Sequence, residues 1–262
     1  MGKKERTLIS LEEKKVIQLG MLDEIDAFCR SNKIKYSLAF GTLLGAIRHR
    51  GYIPWDDDVD IMMPLPDMIR FKSSFHSDIL KYCDVDTEKN YEFPFSRIVH
   101  KSTYNQSGLI CKEYGVCIDT YPIISIPSDS EQQELFFSKA QQIQNRRFRY
   151  LKGRKLMTRY LPISSVPGNG IVKKYRDSLL NDSEPYGSTG CYYAVAGPLK
   201  IRNRTTYNKD IFEELIDLDF EDRKFLGIRE YDYFLSLMYG DYMTPPPECD
   251  RHPYHGGHYY WK

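Results

Sequence analysis

No window of this 262-residue chain approaches the ~18 consecutive apolar residues that a membrane-spanning helix needs. The opening MGKKERTLISLEEKK is charged and has no apolar stretch, so no secretory leader is expected there. Gly2 invites a myristoylation reading, but the hydroxyl expected at position six is replaced by Arg6. The six cysteines, at 29, 83, 111, 117, 191 and 249, form no CxxC pair. They read as reduced thiols of an intracellular protein, about half of them in the core. Internal repeats and low-complexity tracts are also absent. These absences together point to a cytoplasmic protein.

Acidic residues are missing from one long stretch. Between Leu135 and Arg176 there is no Asp or Glu but there are eleven Lys and Arg, at 139, 146, 147, 149, 152, 154, 155, 159, 173, 174 and 176. The whole chain carries only +1, so without those eleven charges the remainder stands at −10. Phe148, Tyr150, Leu151, Leu156, Met157 and Tyr160 are mixed among the basic residues. Two readings stay open: a solvated helix face that complements an acidic body, or a surface that lies against anionic lipid or a polyanionic acceptor. Near a lipid surface each basic residue adds about 1 kcal/mol. Nucleic acid is not expected as a partner, because the chain as a whole is not basic.

What is present is concentrated in IPWDDDVDIMMP at 53–64, which closely follows FGTLLGAIRHRG at 40–51. Asp58 and Asp60 are separated only by Val59. On a strand both carboxylates face one side, while Val59 and Ile61 face the other. Two carboxylates roughly 4 Å apart repel by about 4 kcal/mol at an effective dielectric near 20. A divalent cation relieves that repulsion, and Mg²⁺ is typically held by one or two carboxylates plus substrate phosphates. The pattern predicts metal-dependent phosphoryl or nucleotidyl transfer.

The Ser10–Glu13 spacing and the near-helical recurrence of Val16, Leu19, Leu22, Ile25 and Cys29 predict a helix over about 10–31. A short strand is expected over 34–40, a helix from Gly41-Thr42 to about Arg48, a turn over 51–55 and a strand over 58–63, stopped by Pro64 and Pro66. Residues 67–82 read as helical, and 91–126 as several strands, one of them ending in GVCIDTYPI. The basic segment is expected to be helical over 131–160. A Gly/Pro/Ser-rich loop at 162–170 is the candidate mobile element. Residues 208–226 and 229–239 read as two short helices, and the tail PPPECDRHPYHGGHYYWK as irregular.

GTLLGAIRHRGYIPWDDDVDI resembles the signature of the LicD (fukutin-like) phosphotransferases, and FEDRKFLGIREYDYFLSLMYGDYMTPPPE at 220–248 resembles that family's second block. The resemblance implies an α+β fold: a nucleotidyltransferase-like core with a mixed β-sheet flanked by helices, plus helical and loop insertions. It implies one domain over 1–262, with a basic helical insertion at about 131–176. Relatives of this kind move phosphocholine from CDP-choline to a hydroxyl of a cell-surface glycan or its lipid-linked precursor, of teichoic acid or lipo-oligosaccharide type. Glycerol phosphate or ribitol phosphate transfer from a CDP-polyol, and nucleotidyl transfer, are the alternatives. Peripheral contact with the inner face of an anionic membrane follows if the basic segment serves that purpose.

The resemblance also implies roles. Asp58 and Asp60 hold one or two Mg²⁺ or Mn²⁺ ions. Asp119, in CIDTYPI, is the third acid, and either completes the metal site or accepts the proton of the incoming hydroxyl. Gly41 and Thr42 bring the start of a helix to a phosphate. Arg48 suits a forked phosphate contact. Trp55 either faces the donor, where an aromatic ring suits a quaternary ammonium, or packs. Tyr239, Gly240 and Asp241 shape the donor pocket in the second block. In the tail, Cys249, His252, His255 and His258 recur every third residue. They leave three readings: a zinc site, a phosphate contact by Arg251 or His252, and plain surface.

Overall fold

The computed structural model describes residues 7–89, 91–105, 114–157, 170–183, 191–195, 203–208, 210–252 and 257–262. The loop expected at 162–170 lies, apart from Gly170, outside them, as do Cys111 and His255.

The first helix, α1 (Leu11–Ser31), starts where its sequence says it should: the Ser10 hydroxyl accepts from the Glu13 N–H at 3.1 Å. Leu22, Ile25 and Cys29 lie on its buried face. The main sheet is mixed and runs in the order β2 (Ser37–Leu38), β3 (Asp60–Pro64), β7 (Cys117–Ser125), β5 (Ser96–His100), β4 (Leu80–Cys83). Only the β3–β7 pair in this path is parallel. One edge of β7 is shared: Cys117–Thr120 pair with β5, and Ile123–Ser125 pair with β8 (Tyr192–Ala194), which in turn pairs with β9 (Thr206–Tyr207). Helix α3 (Leu65–Ser74) covers one sheet face, where Met68 meets Ser96. Helix α2 (Phe40–His49) covers the other, where Phe40 meets Tyr121 edge-on at 5.1 Å. This is an α+β fold.

Several elements differ from expectation. The acidic strand begins at Asp60, so Asp58 precedes it, although Val59 and Ile61 are both fully buried as the alternation requires. The helix expected over 67–82 ends at Ser74, and residues 80–83 form β4, because β5 offers them a hydrogen-bonding edge. Residues 215–228 form a hairpin of β10 (Leu215–Phe220) and β11 (Arg223–Ile228) instead of a helix. LIDLDF in fact alternates with period two, and Asp219 pairs across the hairpin with Lys224 at 3.3 Å. The second expected helix is α6 (Tyr231–Tyr239). The tail is not wholly irregular: β12 (Tyr259–Trp261) lies between β1 (Leu8–Ile9) and β6 (Thr103–Asn105). Those two edges come from residues far away in the chain, so nothing local announces the strand.

The basic segment forms α4 (Ser130–Met157) and α5 (Gly170–Ser183). Phe136, Phe137 and Ala140 of α4 and Tyr175 and Leu179 of α5 bury against Ile124 and Tyr193 of the sheet. On α5 the basic residues do complement an acidic body: Lys173 and Arg176 pair with Asp86 at 2.5 and 2.6 Å. On α4, by contrast, Arg146, Arg149 and Lys152 share an exposed surface with Phe148, Leu156 and Met157. Among the described residues, no helix is long and apolar enough to cross a membrane.

Candidate active site

Asp60 and Asp119 are register partners across the parallel β3–β7 pair, so the ladder itself sets two carboxylates side by side. The Asp119 N–H donates to the Val59 carbonyl at 3.0 Å, and the Asp60 carbonyl accepts from the Ala39 N–H at 2.9 Å. The Tyr121 hydroxyl donates to Asp60 Oδ1 at 3.3 Å. Burial, then the charges of Asp58, Asp119 and Asp56, hold the Asp60 carboxyl well above the usual carboxylate range. Asp119 has a cation of its own. Arg97, directly opposite it on β5, donates through Nε to Oδ1 at 2.6 Å and through Nη2 to Oδ2 at 3.0 Å.

The triplet before the strand is divided. Asp57 turns inward to Lys14 of α1, whose Nζ lies 2.9 Å from Oδ2 in a buried pair. Gln18 supports the same turn, donating to the carbonyls of Asp57 at 3.5 Å and Cys117 at 3.4 Å. Asp57 Oδ1 is buried with no hydrogen-bond partner. Burial and the neighbouring Asp58 raise the Asp56 carboxyl from 3.8 to about 7. Oxygens of Asp56, Asp57 and Asp58 all lie within 4.8 Å of one another. An orphaned buried oxygen and two carboxyls pushed upward mark negative charge that Lys14 and Arg97 leave uncancelled. A hard divalent cation with oxygen ligands fits that donor set.

The start of α2 is packed against these acids. Phe40 holds φ at +45°, a left-handed conformation unusual outside glycine, and is kept there by its contacts with Tyr121 and Phe234. Gly41 follows, and a Cβ on it would lie 2.8 Å from Asp56 Oδ2. Thr42 is buried, and its hydroxyl accepts from the Asp60 N–H at 2.9 Å, so it anchors the strand that carries the acid. Ala39 at the N-cap offers no side-chain acceptor to the first turn.

Cations gather at the C-terminal end of α2. Arg48 donates to the Tyr242 carbonyl at 2.7 Å and to His49 Nε2 at 3.0 Å. Burial, and then the nearby charge of Arg251, lower the Arg48 pKa; burial and Arg48 lower that of His49. Trp55 has the His49 ring edge-on at 6.2 Å and the Arg251 guanidinium 5.2 Å from its centroid. Burial, and then the charges of Asp60, Asp56 and Asp58, push the Tyr239 hydroxyl upward. The β10–β11 turn joins the second sequence block to the first: the Glu221 carboxylate accepts from the Tyr52 N–H at 2.9 Å, and the Glu221 N–H donates to the Arg50 carbonyl at 2.8 Å.

Of the residues singled out in sequence, Asp58, Asp60, Asp119, Gly41, Thr42, Arg48, Trp55 and Tyr239 converge here. Asp241 instead accepts from Thr244 at 2.7 Å within its own turn, and His252 lies exposed one residue beyond Arg251. Among the described residues Cys249, His252 and His258 form no metal-ligating group. Arg97, Lys14 and Tyr121 had no sequence signal, because strand register and helix docking alone bring them in. A separate cavity of about 750 Å³ is lined by residues of α3, α5 and β7 and by Phe93 and Phe95, but by none of Asp56, Asp57, Asp58, Asp60 and Asp119. The Phe95 ring is 4.5 Å from that of Tyr121.

Comparison with known proteins gives two kinds of match. The family described as LicD/FKTN/FKRP, nucleotidyltransferase domain, matches residues 33–163, half of the chain. The lipopolysaccharide cholinephosphotransferase LicD of Haemophilus influenzae is 27% identical over 257 residues, covering 94% of this chain and 96% of that protein. An uncharacterized protein of Rickettsia typhi is 43% identical over 63 residues, covering 24% of this chain and 20% of its own length.

Proposed function

The chain belongs to the LicD family, and from that premise we propose that it is a metal-dependent phosphotransferase moving phosphocholine from CDP-choline to a hydroxyl of a cell-surface glycan precursor. The observation that carries this reading is the carboxylate cluster, in which Asp56 and Asp60 are held up by charge the chain does not itself cancel. The near-full-length similarity to a lipopolysaccharide cholinephosphotransferase supplies the group transferred and the class of acceptor.

Attack of a hydroxyl on a diphosphate depends on positioning and charge neutralisation more than on covalent help. Asp58 and Asp60, with Asp56 beside them, would hold Mg²⁺ or Mn²⁺. When bound, the ion supplies positive charge to the donor phosphates. The first turn of α2 has no side-chain cap, and its N–H groups present partial positive charge to the same phosphates. Arg48 and Arg251 would balance the departing nucleotide phosphate. Trp55 and Tyr239 offer aromatic faces to a quaternary ammonium. Asp119, oriented by Arg97, faces the incoming hydroxyl. The protein works in the cytoplasm, with the exposed basic and apolar surface of α4 resting on the anionic inner face of the membrane.

Thermal stability with Mg²⁺ and a panel of CDP-choline, CDP-ethanolamine, CDP-glycerol, CDP-ribitol and nucleoside triphosphates tests the donor. Saturation at a hundred times Kd stabilises by about 2.7 kcal/mol, which is several degrees for a chain of this size. A metal-dependent shift with CDP-choline alone is expected. A shift with another CDP-alcohol would replace choline, and a shift with triphosphates alone would replace the reaction by nucleotidyl transfer.

A further inference from the structure

Arg97 is not an ordinary surface partner for Asp119. The two are cross-strand register neighbours, joined by a two-pronged contact at 2.6 and 3.0 Å. Their side chains are only 20% and 14% exposed. The guanidinium carbon lies 3.9 Å from the Phe93 ring centroid and 5.9 Å from that of Phe95, so aromatic walls oppose its swinging away. Cys117 Sγ adds a third contact to Asp119 Oδ1 at 3.7 Å. A guanidinium stays charged at every accessible pH and fits a carboxylate with two parallel N–H bonds.

We propose that Arg97 occupies the place of a second divalent cation at Asp119, so that the site takes one metal ion, held by Asp58 and Asp60, and not two. This rests on the metal-dependent reading above. Paired-metal sites hold their ions about 3.5–4 Å apart between shared carboxylates. Here one of those two positions is already filled by a fixed positive charge built into β5. Both Asp119 oxygens accept from it, and a divalent ion brought to the same carboxylate would face the guanidinium at close range. Asp60, on the neighbouring strand, takes its hydrogen bond from Tyr121 instead. The chain thus gives two of its acids built-in cations: Asp119 is served by Arg97, and Asp57, through Oδ2, by Lys14. Arg97 is a positioning residue, acting on Asp119 and on ion number.

The test is direct Mn²⁺ binding to the full chain, by titration calorimetry and by the electron paramagnetic resonance signal of free Mn²⁺, without any donor. Wild type is expected to bind one equivalent. Arg97→Gln, with the charge removed, is expected to bind two, and Arg97→Lys one. Asp119→Asn is expected to keep one equivalent, with affinity within about threefold of wild type. Two equivalents in wild type, one in folded Arg97→Gln, or a tenfold loss of affinity in Asp119→Asn would each overturn the proposal and leave the metal reading standing. No binding in wild type would overturn both. If Arg97→Gln does not fold, the wild-type stoichiometry and the Asp119→Asn affinity still decide.

Discussion

Lys14 of the first helix and Asp57 of the acidic turn form a buried ion pair at 2.9 Å, with side chains 6% and 7% exposed. This pair gives one of three consecutive aspartates a cation of its own and fastens the turn to α1. Removing one member leaves an uncompensated buried charge, which costs about 3–5 kcal/mol. Lys14→Met is expected to lose that much in urea unfolding, and Lys14→Met with Asp57→Asn to regain most of it. A single mutant within about 1 kcal/mol of wild type would show that the pair does not hold the turn.

The Asp56 carboxyl is raised from 3.8 to about 7 by burial and by Asp58. A raised acid favours the folded state fully below the unfolded value and loses that contribution as pH rises through the folded one. With about 1.4 kcal/mol for each pH unit between the two, metal-free protein is expected to lose up to about 4 kcal/mol between pH 4 and pH 7. Asp56→Asn lacks this dependence, so the difference between wild type and mutant in chelator should grow over that window. Added Mg²⁺ should shrink it. A difference that stays flat with pH would remove Asp56 from the charged cluster.

Thr42 acts through the backbone of Asp60, accepting its N–H at 2.9 Å. Thr42→Val orphans a buried donor, at about 1–3 kcal/mol. Displacement of Asp60 should lower kcat at least tenfold with KM little changed. Thr42→Ser keeps the acceptor and should restore both. A loss in Thr42→Ser with none in Thr42→Val would point to lost methyl packing instead.

The α4 surface of Arg146, Arg149, Lys152, Phe148 and Leu156 is expected to bind anionic vesicles and not zwitterionic ones, less so at high salt. Charge reversal of the three basic residues should abolish sedimentation with phosphatidylglycerol vesicles and leave the donor-induced thermal shift intact. Undiminished sedimentation of that variant would free α4 from any membrane role.

Local pattern accounts for part of the fold. The capping spacing at Ser10 and Glu13 and the periodic apolar residues after it place α1 correctly, because helix hydrogen bonds and side-chain neighbours lie within four residues. The GT turn into a helix followed by Asp-x-Asp is equally local. The hairpin at 215–228 is readable in the period-two pattern of LIDLDF, but the apolar residues there also fit a short helix. The tail strand is not readable at all, since its partners are Leu8–Ile9 and Thr103–Asn105.

By itself the sequence determined which acids exist and where α1 and α2 begin. These depend on local geometry, with periods of about 2 and 3.6 residues. Only the tertiary structure decided which acids are already neutralised. Lys14 meets Asp57 through helix docking, and Arg97 meets Asp119 because β5 and β7 pair in one register. A slip of one residue in that register would turn Arg97 to the opposite sheet face. That register comes from burial summed over the whole sheet, and no stretch of the chain carries it alone.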